Sequence, residues 1–200
     1  MNSRCFIVGR AITPTTLLPS SHGIATSFTP TNKPYTLTAT TPAPSPNRYW
    51  DWTLDHTNLI RSPIWDPIHG FGSNGSGPKS VAGGHCVQDG PFANLTTTYF
   101  EGKYHPHCLS RGFLDEETIK RVGNLTVQPV VLREIITQTA NYFDFLLAVE
   151  QMSHLTIPYI VQGDFSKVTA PNDPVFFLHH AQVDRVWWSW QLLSPERRGQ

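Results

Sequence analysis

From Leu132 to His154 apolar side chains recur at helical spacing. Leu132, Ile135, Ile136, Tyr142, Phe143, Leu146 and Leu147 follow an i, i+3, i+4 rhythm, with Thr139 and Glu150 on the same stripe and no glycine or proline inside. The pattern predicts one long amphipathic helix over 132–154. Pro158 is expected to end it soon afterwards, because a proline inside a helix removes a hydrogen bond and crowds the preceding turn. A loop, Gln162-Gly-Asp-Phe-Ser-Lys167, follows. A second helix is predicted to start at Asn172-Asp-Pro174, where either Asn172 or Asp173 can cap and Pro174 suits the first turn. It runs through Val175–Leu192 and stops before Pro195.

Elsewhere the periodicity fades. Gly70-Phe-Gly-Ser-Asn-Gly-Ser-Gly77 reads as a loop, and Gly, Pro, Asn and Asp punctuate residues 83–129, which predicts irregular coil with short strands at most. Residues 1–47 hold ten threonines and seven prolines but no Asp or Glu, and no periodicity that could bury a face. They are expected to form a disordered Thr/Ser/Pro-rich tail, leaving 48–200 as the folded unit. A mistranslated intron or a wrong start codon would have the same texture.

Composition narrows the function. Charged residues make up 15% of the 200, against roughly 25% in ordinary soluble domains, and the formal net charge is zero. Neither nucleic acid nor an acidic membrane is therefore an expected partner. No apolar run approaches the ~18 residues of a membrane span. Of Cys5, Cys86 and Cys108, the last two can pair and leave Cys5 over. Asn74-Gly-Ser, Asn94-Leu-Thr and Asn124-Leu-Thr match the glycosylation acceptor pattern and lean toward a secreted protein, although Arg10 cuts short the apolar start expected of a signal peptide.

The chemistry concentrates in Asn172-Asp-Pro-Val-Phe-Phe-Leu-His-His-Ala-Gln-Val-Asp-Arg-Val-Trp-Trp-Ser-Trp-Gln191. Its early turns carry His179 and His180, and Asp184 lies one turn after His180 on the same face. A carboxylate there can steady a metal-ligating imidazole, or can pair locally with Arg185 or another basic group. Phe176, Phe177, Val183, Trp187 and Trp188 are expected to pack around the site. A His-His pair in an aromatic helix is by itself compatible with a polar patch beside a core.

The whole string resembles the copper-B motif of the type 3 copper family, the tyrosinases, catechol oxidases and molluscan haemocyanins. Asp173-Pro-x-Phe-Phe-x-x-His180-x-x-x-Asp184 matches it at every defined position. Tyr49-Trp-Asp-Trp-Thr-Leu-Asp55, Ser62-Pro-Ile-Trp-Asp66, Asp89-Gly-Pro-Phe92 and Cys108-Leu-Ser-Arg111 are similar to the stretch that links the two copper sites in fungal tyrosinase-like proteins. The resemblance covers about residues 48–191. It implies a mainly α-helical fold around a four-helix bundle, with long irregular loops, in which six histidines hold two coppers. Phenols or o-diphenols are then oxidised to quinones with dioxygen, so a phenolic small molecule and dioxygen are the implied partners and copper the implied cofactor.

Carried over by position, the resemblance makes His154 and His180 copper ligands. It puts His179 and Asp184 in the shell behind them, with His179 turned away, and Glu150 near a copper-bound water. The family's second copper-B ligand would fall at 158, which is proline, and the asparagine common after the first ligand is Leu155. The copper-A histidines would precede Tyr49, where the only histidine is His22, so the fold is expected to be incomplete on its N-terminal side. His85, Cys86, His105 and His107 match no zinc pattern and read as a loop beside a disulfide, and His56 and His69 as solvated. The expectation is an oxidase domain represented in part; a non-catalytic relative binding at most one metal weakly, or a truncated gene model, are the alternatives.

Overall fold

A computed structural model describes residues 49–199. The expected disordered tail, 1–47, lies outside the described residues, as does His22.

Helix α5, Val175–Gln191, is the spine of the domain. It starts where expected. Asp173 Oδ1 accepts a 3.0 Å hydrogen bond from the Val175 amide, while the Asn172 side chain turns instead to the Tyr99 carbonyl and Asp164. Eight of its residues are buried, among them Val183, Trp187 and Trp190. Phe177 and Trp188, expected in the packing, are instead 61% and 58% exposed.

The long helix predicted over 132–154 is two helices and a widened turn. Helix α2, Pro129–Gln138, ends at Thr139; helix α3, Tyr142–Val149, starts anew behind Asn141, whose side chain accepts from the Asp144 amide. The break frees the Thr139 carbonyl, which accepts a hydrogen bond from the Trp190 indole at 3.1 Å. Residues Glu150–His154 then form a π-helical turn, and α4, Leu155–Val161, continues the axis. Pro158 therefore lies inside a helix and does not block extension past His154. Its ring would ordinarily strike the carbonyl four residues back, that of His154, and the wide π-turn immediately before relieves that crowding.

The segment α3 to α4 runs antiparallel to α5. Phe145 stacks on Trp190 with ring centroids 4.9 Å apart at one end, and His154 meets His179 and His180 at the other. Helix α1, Glu116–Thr126, stands in the stretch expected to be coil; Asp115 caps it through the Thr118 amide. Gly123 and Asn124 near its end obscured it in the sequence. Gly123 is required by close packing, since a Cβ there would lie 2.5 Å from the His56 carbonyl.

The strands are short. β1, His85–Cys86, pairs with β4, Ser110–Arg111, and β2, Thr96–Phe100, pairs antiparallel with β3, Lys103–Cys108. Glu101 and Gly102, both at positive φ, make the tight turn of that hairpin. A Cys86–Cys108 disulfide ties the two small sheets together. No described helix is long and apolar enough to cross a membrane.

Candidate metal centre

The π-turn puts His154 on the face of its helix that looks at α5, and the second turn of α5 presents His179 and His180 in return. Ring nitrogens of the three lie within 4.8 Å of one another. His154 and His180 approach most directly, Nε2 to Nε2 at 3.4 Å. Two imidazoles bound at about 2.0–2.1 Å to one tetrahedral ion stand at about that separation. One of the two nitrogens carries a proton in the metal-free pair, which an ion would displace.

Neighbouring side chains orient the His154 and His180 rings. Glu150 Oε2 lies 2.7 Å from His154 Nδ1, in a contact too bent for a well-formed hydrogen bond, and the His154 ring holds the Glu150 carboxyl below its usual value. A carboxylate behind a metal-facing imidazole is a recurrent arrangement in metal sites. Glu150 thus stands beside the His154 Nδ1 edge. Burial, helped by the charge of His154, pushes His180 down to about 4, against the opposing pull of Glu150. Phe176 covers one face of the His180 ring, centroids 4.0 Å apart.

His179 does not turn away from the group. It is fully buried and stacks on His154 at 5.3 Å with 14° between the rings. Burial first, then the charges of His154 and His180, hold it well below the ordinary histidine range, whereas the His154 main-chain carbonyl favours a proton on it. Its Nδ1 accepts a 3.2 Å hydrogen bond from the indole of Trp52, and its Nε2 has no hydrogen-bond partner. Nothing in the sequence linked Trp52 to this ring; 127 residues separate them.

Asp184 is exposed, pairs with neither histidine, and has its carboxyl pushed up by partial burial. The neighbouring Arg185 pairs instead with Asp51 at 3.0 Å. No second metal group occurs among the described residues. The His85, Cys86, His105 and His107 set makes no metal site, because Cys86 is in the disulfide and His85 Nδ1 contacts the Gly77 carbonyl. His107 is not the loop side chain expected of it: it sits in a strand, with Nε2 2.8 Å from Thr97 Oγ1 and 3.0 Å from Asp164 and Nδ1 on the His105 carbonyl.

Residues 42–193 match the family model described as the common central domain of tyrosinase. The chain belongs to the tyrosinase family. Tyrosinase-like relatives include the protein phomQ2 of Diaporthe leptostromiformis, 44% identical over 75% of this chain and 39% of its own length. The tyrosinase ustQ of Aspergillus flavus is 42% identical over 75% of this chain and 42% of its own, and a Streptomyces glaucescens tyrosinase 30% identical over 74% and 54%. A polyphenol oxidase structure from Thermothelomyces thermophila superposes with a TM-score of 0.60 at 26% identity, covering 74% of this chain and 48% of that one. The mainly helical type 3 copper fold expected from the motif is thus established. The chain spans roughly half or less of the length of these tyrosinase relatives.

Proposed function

We propose that this chain carries the copper-B side of a phenol-oxidising centre, binds at most one copper ion, weakly, through His154 and His180, and does not oxidise phenols on its own. The 3.4 Å approach of the two Nε2 atoms is the observation that carries this. Imidazole pairs suit copper, but a stable site normally has three or four protein ligands, and position 158, one turn beyond His154, offers a proline. Copper supplies the redox and dioxygen chemistry when it is bound. The protein's own part is to present two imidazoles, to orient His154 through Glu150, and to wall His180 with Phe176.

Exposed apolar side chains punctuate the helices that carry the histidines. Phe143, Leu147, Leu155 and Tyr159 along α3 and α4, and Phe177 and Trp188 along α5, are all at least 40% exposed. Leu155 and Phe177 lie within one turn of His154 and His180 along their helices, whereas Phe143 and Trp188 lie toward the Phe145–Trp190 end. Such side chains suit contact with a flat phenolic ring or a further helical layer.

Copper(II) titration of the purified 200-residue chain tests the proposal. One weak equivalent, lost in His154→Ala and His180→Ala, is expected, with catechol oxidation no faster than free copper. Protein-proportional catechol oxidation abolished by His180→Ala would overturn it.

A further inference from the structure

We propose that Trp52 is a tautomer lock: by occupying the Nδ1 lone pair of His179, its indole N–H keeps a third imidazole that already stands at the metal site from becoming a ligand. The inference rests on His154 and His180 being the metal-binding pair and adds a residue that limits their site.

The argument is proton bookkeeping on one buried ring. A neutral imidazole has one N–H and one lone pair. The Trp52 indole is donor only, and it points at His179 Nδ1 from 3.2 Å. Nδ1 must then be the acceptor, so the ring proton sits on Nε2. That nitrogen is buried without a well-aligned hydrogen-bond partner, and the His154 main-chain carbonyl nearby favours a proton on the ring, so indole and carbonyl support the same tautomer. With one nitrogen engaged and the other protonated, His179 has no lone pair for a metal, although the three rings meet within 4.8 Å. Trp52 and His179 are both at 0% exposure, so bulk water does not compete with the indole N–H for Nδ1.

Whichever ring nitrogen faces the centre, removing the indole N–H frees it. If Nδ1 faces the site, its lone pair is released directly; if Nε2 does, the proton can move to Nδ1. The nitrogen shell then rises from two imidazoles to three, and a lost hydrogen bond strengthens metal binding instead of weakening it. A purely structural Trp52 would have the opposite effect.

Two measurements on the full chain decide it. Long-range ¹H–¹⁵N correlation on the metal-free protein should show His179 with an unprotonated Nδ1 and a protonated Nε2. Then Trp52→Phe, and Trp52 replaced by benzothienylalanine, which keeps the bicyclic shape without the N–H, are titrated with copper(II). At least tenfold tighter binding than the parent is expected, with three coordinated nitrogens by pulsed electron paramagnetic resonance. Adding His179→Phe should cancel the gain. The benzothienyl variant preserves packing, so it remains informative if Trp52→Phe folds poorly. A protonated Nδ1 in the parent, or unchanged or weaker binding with two nitrogens in the benzothienyl variant, would overturn the lock. Absence of copper binding in the parent would instead count against the His154–His180 site, and the metal-free tautomer is read independently of it.

Discussion

Arg111 and Asp173 form a two-pronged ion pair with no solvent exposure on either side chain: Nε to Oδ2 at 2.7 Å and Nη2 to Oδ1 at 2.9 Å. The remaining Arg111 donor, Nη1, reaches the Phe71, Gly72 and Ser73 carbonyls. Asp173 Oδ1 also receives the Val175 amide, so the pair pins the start of α5, and with it His179 and His180, to the glycine-rich loop. Removing one partner of a buried pair leaves an uncompensated charge. Asp173→Asn or Arg111→Leu should each cost about 3–5 kcal/mol, visible in urea unfolding at neutral pH. Arg111→Lys should rescue little, since an ammonium cannot span both carboxylate oxygens. A loss below about 1 kcal/mol, the scale of an exposed pair, would contradict this account.

The Cys86–Cys108 bridge closes a short loop, with a sequence separation of 22, across sheets that are too small to stand alone. In the chain-entropy picture it contributes about 3 kcal/mol by restricting the unfolded chain. Cys86→Ser with Cys108→Ser should lower the thermal midpoint, and reductant should lower the parent's midpoint to that of the variant without affecting the variant itself.

Acid should weaken the fold in a defined window. His180 titrates near 4 in the folded state and, like other free histidines, near about 6.5 when unfolded. Between those values the unfolded chain binds more protons, so stability rises with pH there and is lost as pH falls from about 6.5 to about 4. His179, also held down by burial, adds to the loss on acidification. Denaturant midpoints measured across this window should decline steadily, and His180→Phe should flatten the decline. An unchanged slope in that variant would assign the acid sensitivity elsewhere.

Pro158 stands in α4 one turn after His154, where the helix already continues to Val161. Pro158→His should therefore fold without a new kink and regain a main-chain N–H. The added imidazole should tighten binding of one copper ion at least tenfold by calorimetric or competition titration, with no gain in catechol oxidation. Unchanged affinity would mean that the 158 side chain does not reach the centre.

Much of the histidine cluster was legible in the chain itself. The Asp173-Pro to Asp184 string announced its helix and cap, because cap chemistry and helical spacing are local. The alternation that promised a single helix over 132–154 could not register Asn141, whose capping of α3 was favoured once Trp190 took the Thr139 carbonyl. Nor could it foresee that a π-turn would let Pro158 stay helical. Helix α1 was hidden by Gly123, a residue of poor helical propensity that the fold needs for close approach to His56.

The sequence by itself determined which side chains could carry chemistry: imidazoles at 154, 179 and 180, and none at 158. Only the tertiary structure decided what each one does. It set His154 and His180 3.4 Å apart, kept His179 within the group but tied to Trp52, set Glu150 against His154 and left Asp184 facing solvent. The physical reason is range. Helical periodicity and capping act over a few residues, whereas ring tautomer, desolvation and ligand convergence depend on groups brought together from opposite ends of the fold.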